Sequence, residues 1–185
     1  MNTTSANPGL ATLPRISRNV RLLPSVDRRP DGTDPVLIRL FARLVSGRAP
    51  WPLYLHGPVG RGKTLAALCL CDVARSAAYF TAEGLCDTAT ELKLRPDELR
   101  DFWETVAAKD LAVLDEIGLR GEPSDFAYTT LKRFLDAREL CGQRRAIYIS
   151  NLAPKNLAKL YDDRICSRLF CGSRFELHGS DRRFA

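Results

Sequence analysis

From Trp51 onward, two hydrophobic rhythms alternate along the chain. Short apolar runs at Leu53–His56, Ala78–Thr81, Leu111–Asp115 and Ala146–Ser150, with a weaker one at Phe175–Leu177, read as strands. Between them lie longer stretches with helical spacing, roughly Lys63–Ala77, Pro96–Ala107, Ser124–Cys141 and Pro154–Phe170. A further short helix is expected around Asp34–Ser46. Asp34 can cap it, Pro35 suits its first turn, and Leu37, Leu40, Phe41 and Leu44 fall on one face before Gly47 ends it. Strands alternating with helices predict parallel pairing through crossover helices, hence a three-layer α/β fold. Near-continuous apolar strands such as LAVLD suit a sheet covered on both faces.

Residues 1–30 do not follow this pattern. They are rich in Asn, Thr, Ser and Pro, no acidic residue precedes Asp27, and Arg15, Arg18 and Arg21 recur at every third position. We read 1–30 as a flexible arm without an independent fold and 31–185 as the folded domain. A partner- or DNA-binding arm and an organelle transit peptide are the functional alternatives for that segment.

Composition narrows the class. With 45% hydrophobic and 27% charged residues among 185, the chain is not disordered throughout. Lys and Arg number 28 against 22 Asp and Glu; the resulting charge of +6 permits a polyanionic partner without demanding one. No apolar run reaches the roughly 18 residues of a membrane span, and MNTTSANPGL lacks the features of a secretory signal, so a cytoplasmic protein is expected. The six cysteines form no C-x-x-C pair, two of them sit in LAALCLCDVA, and only two histidines are present. They read as small core residues in a reducing compartment, not as a zinc site or a disulfide set.

The strongest motif is Gly57-Pro58-Val59-Gly60-Arg61-Gly62-Lys63-Thr64, directly after LYLH, which matches G-x-x-x-x-G-K-[ST]. A loop that brings several backbone N–H groups against phosphate oxygens needs glycines to turn and approach closely. The helix that starts near Lys63 directs its positive end at the same phosphates. Lys63 is placed to reach the β- and γ-phosphates and the Thr64 hydroxyl to bind Mg²⁺, with Leu65 closing the nucleotide-binding segment. Glycine makes up about 7% of residues on average, so a chance match in a chain of this length has odds of about one in two hundred. That favours a phosphate loop over a Gly-rich surface turn.

The run Leu111-Ala-Val-Leu-Asp115-Glu116 places two carboxylates at the carboxyl edge of the sheet, where open α/β folds bind ligands. Asp115 would hold Mg²⁺, and Glu116 would orient and deprotonate an attacking water. Side chains alternate along a strand, so Glu116 is expected just where the strand ends. A third strand ends in Ser150-Asn151. The Asn151 amide either holds the lytic water or a γ-phosphate oxygen, or simply forms the turn into Leu152-Ala153-Pro154. In Asp162-Asp163-Arg164-Ile-Cys-Ser-Arg168-Leu169, the two arginines share a helix face. They form either a solvated basic face or a pair that reaches the ATP of a neighbouring subunit. His56 is expected at the strand edge without a catalytic part, and Trp51 in packing.

GPVGRGKT, VLDEIG, a long helix ending in DAREL, IYISNL and DDRICSRLFCG together resemble the DnaC/IstB group of AAA+ ATPases, replicative helicase loaders and transposition ATPases. The resemblance spans about Pro50–Leu177. It implies a P-loop NTPase (AAA+) core with a five-stranded parallel sheet in the order 5-1-4-3-2 and no C-terminal lid domain. Gly57–Thr64 matches the family's Walker A motif, and Asp115 and Glu116 match its Walker B pair. Asn151 matches the sensor-1 residue, and Arg168 the arginine finger acting in trans, with Arg164 beside it. The implied cofactors are ATP and Mg²⁺, and ATP hydrolysis would occur between subunits of a homo-oligomeric ring or spiral. The implied partners are DNA, single-stranded DNA foremost, and a replicative helicase or a transposase. Gly84–Ala107 falls where the family carries a helical insertion facing DNA; its mixed charges single out no DNA contact. A helicase loader is therefore the expected function, with an IstB-like transposition regulator as the alternative. A small P-loop nucleotide kinase is a distant alternative, because such kinases do not need a glutamate directly after the metal-binding aspartate.

Overall fold

A computed structural model describes residues 34–140 and 145–178. The arm at 1–30 and Cys141 lie outside the described residues. Five strands form one sheet: β1 (Leu53–His56), β2 (Ala77–Thr81), β3 (Leu111–Asp115), β4 (Ala146–Ser150) and β5 (Ser173–Glu176). Every neighbouring pair is parallel, and the order is β2-β3-β4-β1-β5. Counted from the opposite edge this is 5-1-4-3-2, as the resemblance implies. The helices are α1 (Pro35–Val45), α2 (Lys63–Val73), α3 (Ala82–Glu91), α4 (Pro96–Ala108), α5 (Asp125–Leu140), α6 (Pro154–Leu157) and α7 (Asp163–Phe170).

The alternation of side chains along each strand divides the interior into two layers. Leu53 and Leu55 of β1, Val113 of β3 and Ile147 and Ile149 of β4 pack with Leu37, Phe41 and Leu44 of α1 and Ala66, Ala67 and Leu70 of α2. Tyr54, Leu114 and Tyr148 face the other way, onto Leu85, Phe102, Trp103, Phe134, Ile165 and Leu169 from α3, α4, α5 and α7. Both faces of β1, β3 and β4 are covered, which explains why these strands are apolar throughout. Arg138 is fully buried and donates to the carbonyls of Val106, Ala107, Lys109 and Arg145, which fastens the end of α4 to the segment entering β4.

The structure departs from the sequence reading at four places. α2 stops at Val73 and Ala77 begins β2, because Ala77 pairs with Leu111 and the sheet overrides the helical preference of an Ala-rich stretch. The helix over 154–170 divides into α6 and α7: the Asp162 carboxylate accepts from the Ile165 amide at 3.0 Å and starts a new helix. β5 runs over Ser173–Glu176 and not Phe175–Leu177, because Ser173 registers with Leu53 on the edge of β1. The segment assigned to an insertion starts inside a helix and not at its beginning: α3 opens at Ala82, two residues before Gly84, with the Thr81 hydroxyl accepting from the Gly84 amide at 3.0 Å. Among the described cysteines, Cys166 is a buried core residue, as expected, whereas Cys69, Cys71 and Cys86 are only half-buried and Cys171 is exposed. Among the described residues, no helix is long and apolar enough to cross a membrane.

Candidate active site

The loop from Gly57 to Gly62 joins β1, an inner strand, to the start of α2. Gly57 has φ +138°, and a Cβ there would come within 2.3 Å of the Leu177 carbonyl oxygen. Only glycine lets the loop leave β1 this close to the chain that follows β5. Gly62 has φ +82° and stands at the N-cap of α2, so the first amides of that helix open toward the loop. Pro58 and Val59 are exposed, Gly60 and Leu65 partly covered. Lys63 is buried, and its Nζ donates to the carbonyls of Gly57 and Pro58, each at 2.7 Å, which spans the loop with its charge. Nε and Nη1 of Arg61 are buried with no hydrogen-bond partner among the described residues. Such donors, beside the amides of a helix N-terminus, are of the kind an anion such as phosphate would satisfy.

Across the sheet, Asp115 ends β3 and is buried. Its Oδ2 accepts two hydroxyl donors, Thr64 Oγ1 at 2.6 Å and the Tyr79 phenol at 2.8 Å. Its Oδ1 accepts the Glu116 amide at 2.7 Å. Thr64 and Asp115 thus present adjacent oxygens, the hard donors that Mg²⁺ selects. The donor set fits the ion, which Thr64 and Asp115 would hold. When bound, Mg²⁺ neutralises charge on the phosphate oxygens.

Glu116 turns the chain sharply. Its φ of +62° lies in the left-handed region, at a cost of roughly 1–2 kcal/mol for a residue with a Cβ. The surroundings enforce it: the Ile117 amide donates to the Ile149 carbonyl at 3.0 Å and the Ile117 side chain is buried. The turn leaves the Glu116 side chain exposed just past the strand, bordering a cleft with Glu83, Asp87, Gly118 and Phe126. A carboxylate held in solvent beside a buried one has the placement of a general base.

β4 lies between β3 and β1, so Asn151 follows a strand flanked by the carboxylates on one side and the loop on the other. Asn151 is half-buried. Its predecessor, Ser150, fixes the turn by donating to the Ile117 carbonyl at 2.6 Å and accepting the Leu152 amide at 3.1 Å.

The arginines of α7 form a separate site. Arg164 and Arg168 line a cleft with Tyr128 and Lys132 of α5. Arg164 is exposed, whereas Arg168 pairs with Asp136 at 2.5 Å and with Glu139 at 3.5 Å. Burial works to raise the Asp136 pKa, but hydrogen bonds from Lys132 and Arg168 outweigh it and hold the carboxyl below its ordinary range. The structure therefore gathers the loop, Thr64, Asp115 and Glu116 at one sheet edge, while these contacts hold Arg168 against α5.

Two residues of the candidate site carry no motif in the sequence. Tyr79 was hidden in AAYFT, which reads simply as an apolar strand, although a lone phenol in such a run is a signal. Ser150 read as a small polar strand end, with nothing to reveal its partner on the adjacent turn. His56 is buried at the end of β1, as expected of a strand-edge residue, and Trp51 is half-buried, its Nε1 donating to the Leu44 carbonyl at 3.1 Å.

A glycine-rich loop after an inner strand, a carboxylate pair at the end of β3 and this strand order are those of the P-loop NTPase fold of the AAA+ type. No family model matches the sequence. The chromosomal replication initiator protein DnaA of Roseobacter denitrificans (strain ATCC 33942 / OCh 114) is 27% identical over 139 residues, which cover 70% of this chain and 29% of that protein. Among solved structures, DnaI superposes with a TM-score of 0.66 at 19% identity over 88% of this chain and 95% of that one. A DnaA bound to AMPPCP and single-stranded DNA gives 0.65 at 21% identity over 81% and 48% of the two chains. The DnaC helicase loader gives 0.59 at 18% identity over 68% and 77%. The resemblance to the DnaC group thus holds at the level of the fold. The chain spans less than a third of the curated DnaA it matches.

Proposed function

We propose that this protein is an ATP-hydrolysing AAA+ ATPase acting on DNA in replication, and within that class a loader of a replicative helicase. The observation that carries the ATPase reading is the bond between Thr64, at the end of the phosphate loop, and Asp115, with Glu116 exposed beside it. Lys63 and the α2 amides would bind the β- and γ-phosphates, Thr64 and Asp115 would hold Mg²⁺, and Glu116 would take the proton of the attacking water. Asn151 would orient that water or the γ-phosphate. Arg168, with Arg164 beside it, would reach the phosphates bound by an adjacent copy in a homo-oligomer. The replication setting and the helicase and DNA partners are supported by the likeness in fold to DnaC, DnaI and DnaA.

Two measurements test this. Incubation with Mg-ATP should release free phosphate and ADP; a phosphorylated small molecule as the product would make the protein a kinase. Size measurement with a slowly hydrolysed ATP analogue and single-stranded DNA should reveal a larger assembly than either ligand produces alone. A protein that stays monomeric under all these conditions would exclude the oligomeric mechanism.

A further inference from the structure

We propose that Tyr79 is the positioning residue that orients the Asp115 carboxylate for Mg²⁺, a role resting on the Mg-ATP reading of this site. The geometry comes from the sheet. β2 pairs with β3 so that Thr81 lies opposite Asp115 and Tyr79 opposite Val113. Alternation puts all four side chains on one face, and Tyr79 and Val113 both pack in the layer that carries α2. Tyr79 is thus the diagonal neighbour of Asp115, two positions along the adjacent parallel strand, a gap that a long side chain bridges. A phenol does so and ends in a donor: Tyr79 OH lies 2.8 Å from Asp115 Oδ2.

The other contacts of Asp115 show why this donor matters. Oδ1 is held by the amide of Glu116, a neighbour that moves with Asp115 itself. Thr64 reaches Oδ2, but its oxygen is the one that would also bind the ion. Tyr79 holds Oδ2 from a different strand and does not have to meet the metal. It fixes the rotation of the carboxylate and leaves the remaining lone pairs for the ion. Groups that hold a metal-binding carboxylate in this way typically change metal affinity by about 10–100-fold when removed.

The experiment measures binding of a fluorescent ATP analogue to the full chain, in EDTA and across a Mg²⁺ titration, for the wild type, Tyr79→Phe and Tyr79→Leu. Both variants remove the hydroxyl, and the first keeps the ring, so folding is separated from orientation; thermal melts in EDTA check it. The expected result is nucleotide affinity in EDTA within about twofold of wild type, with the Mg²⁺ half-saturation raised about tenfold or more. An unchanged Mg²⁺ half-saturation in Tyr79→Phe overturns the assignment. So does an equal loss of binding with and without Mg²⁺, which would mark a merely structural tyrosine. Failure of the wild type to bind the analogue at all would overturn the Mg-ATP reading as well, a result distinct from either.

Discussion

The Thr64 hydroxyl donates to Asp115 Oδ2 at 2.6 Å across 51 positions of sequence. This bond joins the phosphate loop to the end of β3 and creates the oxygen pair at the centre of the site. Replacing Asp115 with Asn keeps the shape but removes the negative charge. Nucleotide binding in EDTA should persist in Asp115→Asn, while the tightening produced by Mg²⁺ is lost. Calorimetric titration with and without the metal measures this, and an undiminished Mg²⁺ effect would remove Asp115 from the metal site.

Glu116 is exposed and lies just past the end of β3, outside the buried core. Glu116→Gln should bind ATP as the wild type does and hydrolyse it about 10²–10⁴-fold more slowly. Phosphate release measured at saturating ATP is the check. Wild-type turnover in this variant would transfer the role of base to another group.

Arg168 is held by two carboxylates of α5 in ion pairs that are about one-third exposed. Partial exposure limits such a pair to about 1 kcal/mol or less, so the contact can exchange for a phosphate at little cost. Arg168→Ala should keep ATP binding and lose the hydrolysis that accompanies self-association; normal hydrolysis in the assembled state would disprove the finger assignment. Asp136→Asn should melt within a few degrees of wild type and keep assembly-dependent hydrolysis.

Arg138 is buried and donates to four carbonyls. Arg138→Met fills similar space but leaves those acceptors without their donor, at a cost of about 3 kcal/mol or more. A chain of this size should then melt roughly 6–12 °C lower. A shift within 2 °C of zero, measured by differential scanning calorimetry, would show that the carbonyls find other partners.

His56 adds a pH dependence. Burial lowers its pKa, partly opposed by Glu176, so the folded chain binds a proton there less readily than the unfolded chain. Stability therefore falls as pH drops through the ordinary histidine value near 6.5, and is regained above it. The urea midpoint should fall less between pH 7.5 and 5.5 in His56→Gln than in wild type. An identical fall in both would assign the acid sensitivity to other groups.

How legible each part was follows from where its partners lie. β1, β3 and β4 could be read to the residue because burial on both faces demands apolar residues at every position. The phosphate loop was equally plain, since positive φ values at Gly57, Gly60 and Gly62 impose glycine locally. β5 was misplaced by two residues at its start because an edge strand is covered unevenly and carries polar residues. The break before α7 was missed because helical spacing continues through it, and only the bonds from Ile165 and Tyr128 to Asp162 end one helix and begin the next.

The alternation of strands and helices, the glycine-rich loop and the carboxylates at the end of β3 are all legible along the chain. Each of these depends on local backbone demands or on burial that leaves a mark at every position. It takes the folded chain to show that Tyr79 and Thr64 share one oxygen of Asp115, that Glu116 turns out of the strand, and that Arg168 rests on Asp136. Those outcomes depend on strand register and helix placement, which bring together residues tens of positions apart, and no periodicity along the chain encodes such meetings.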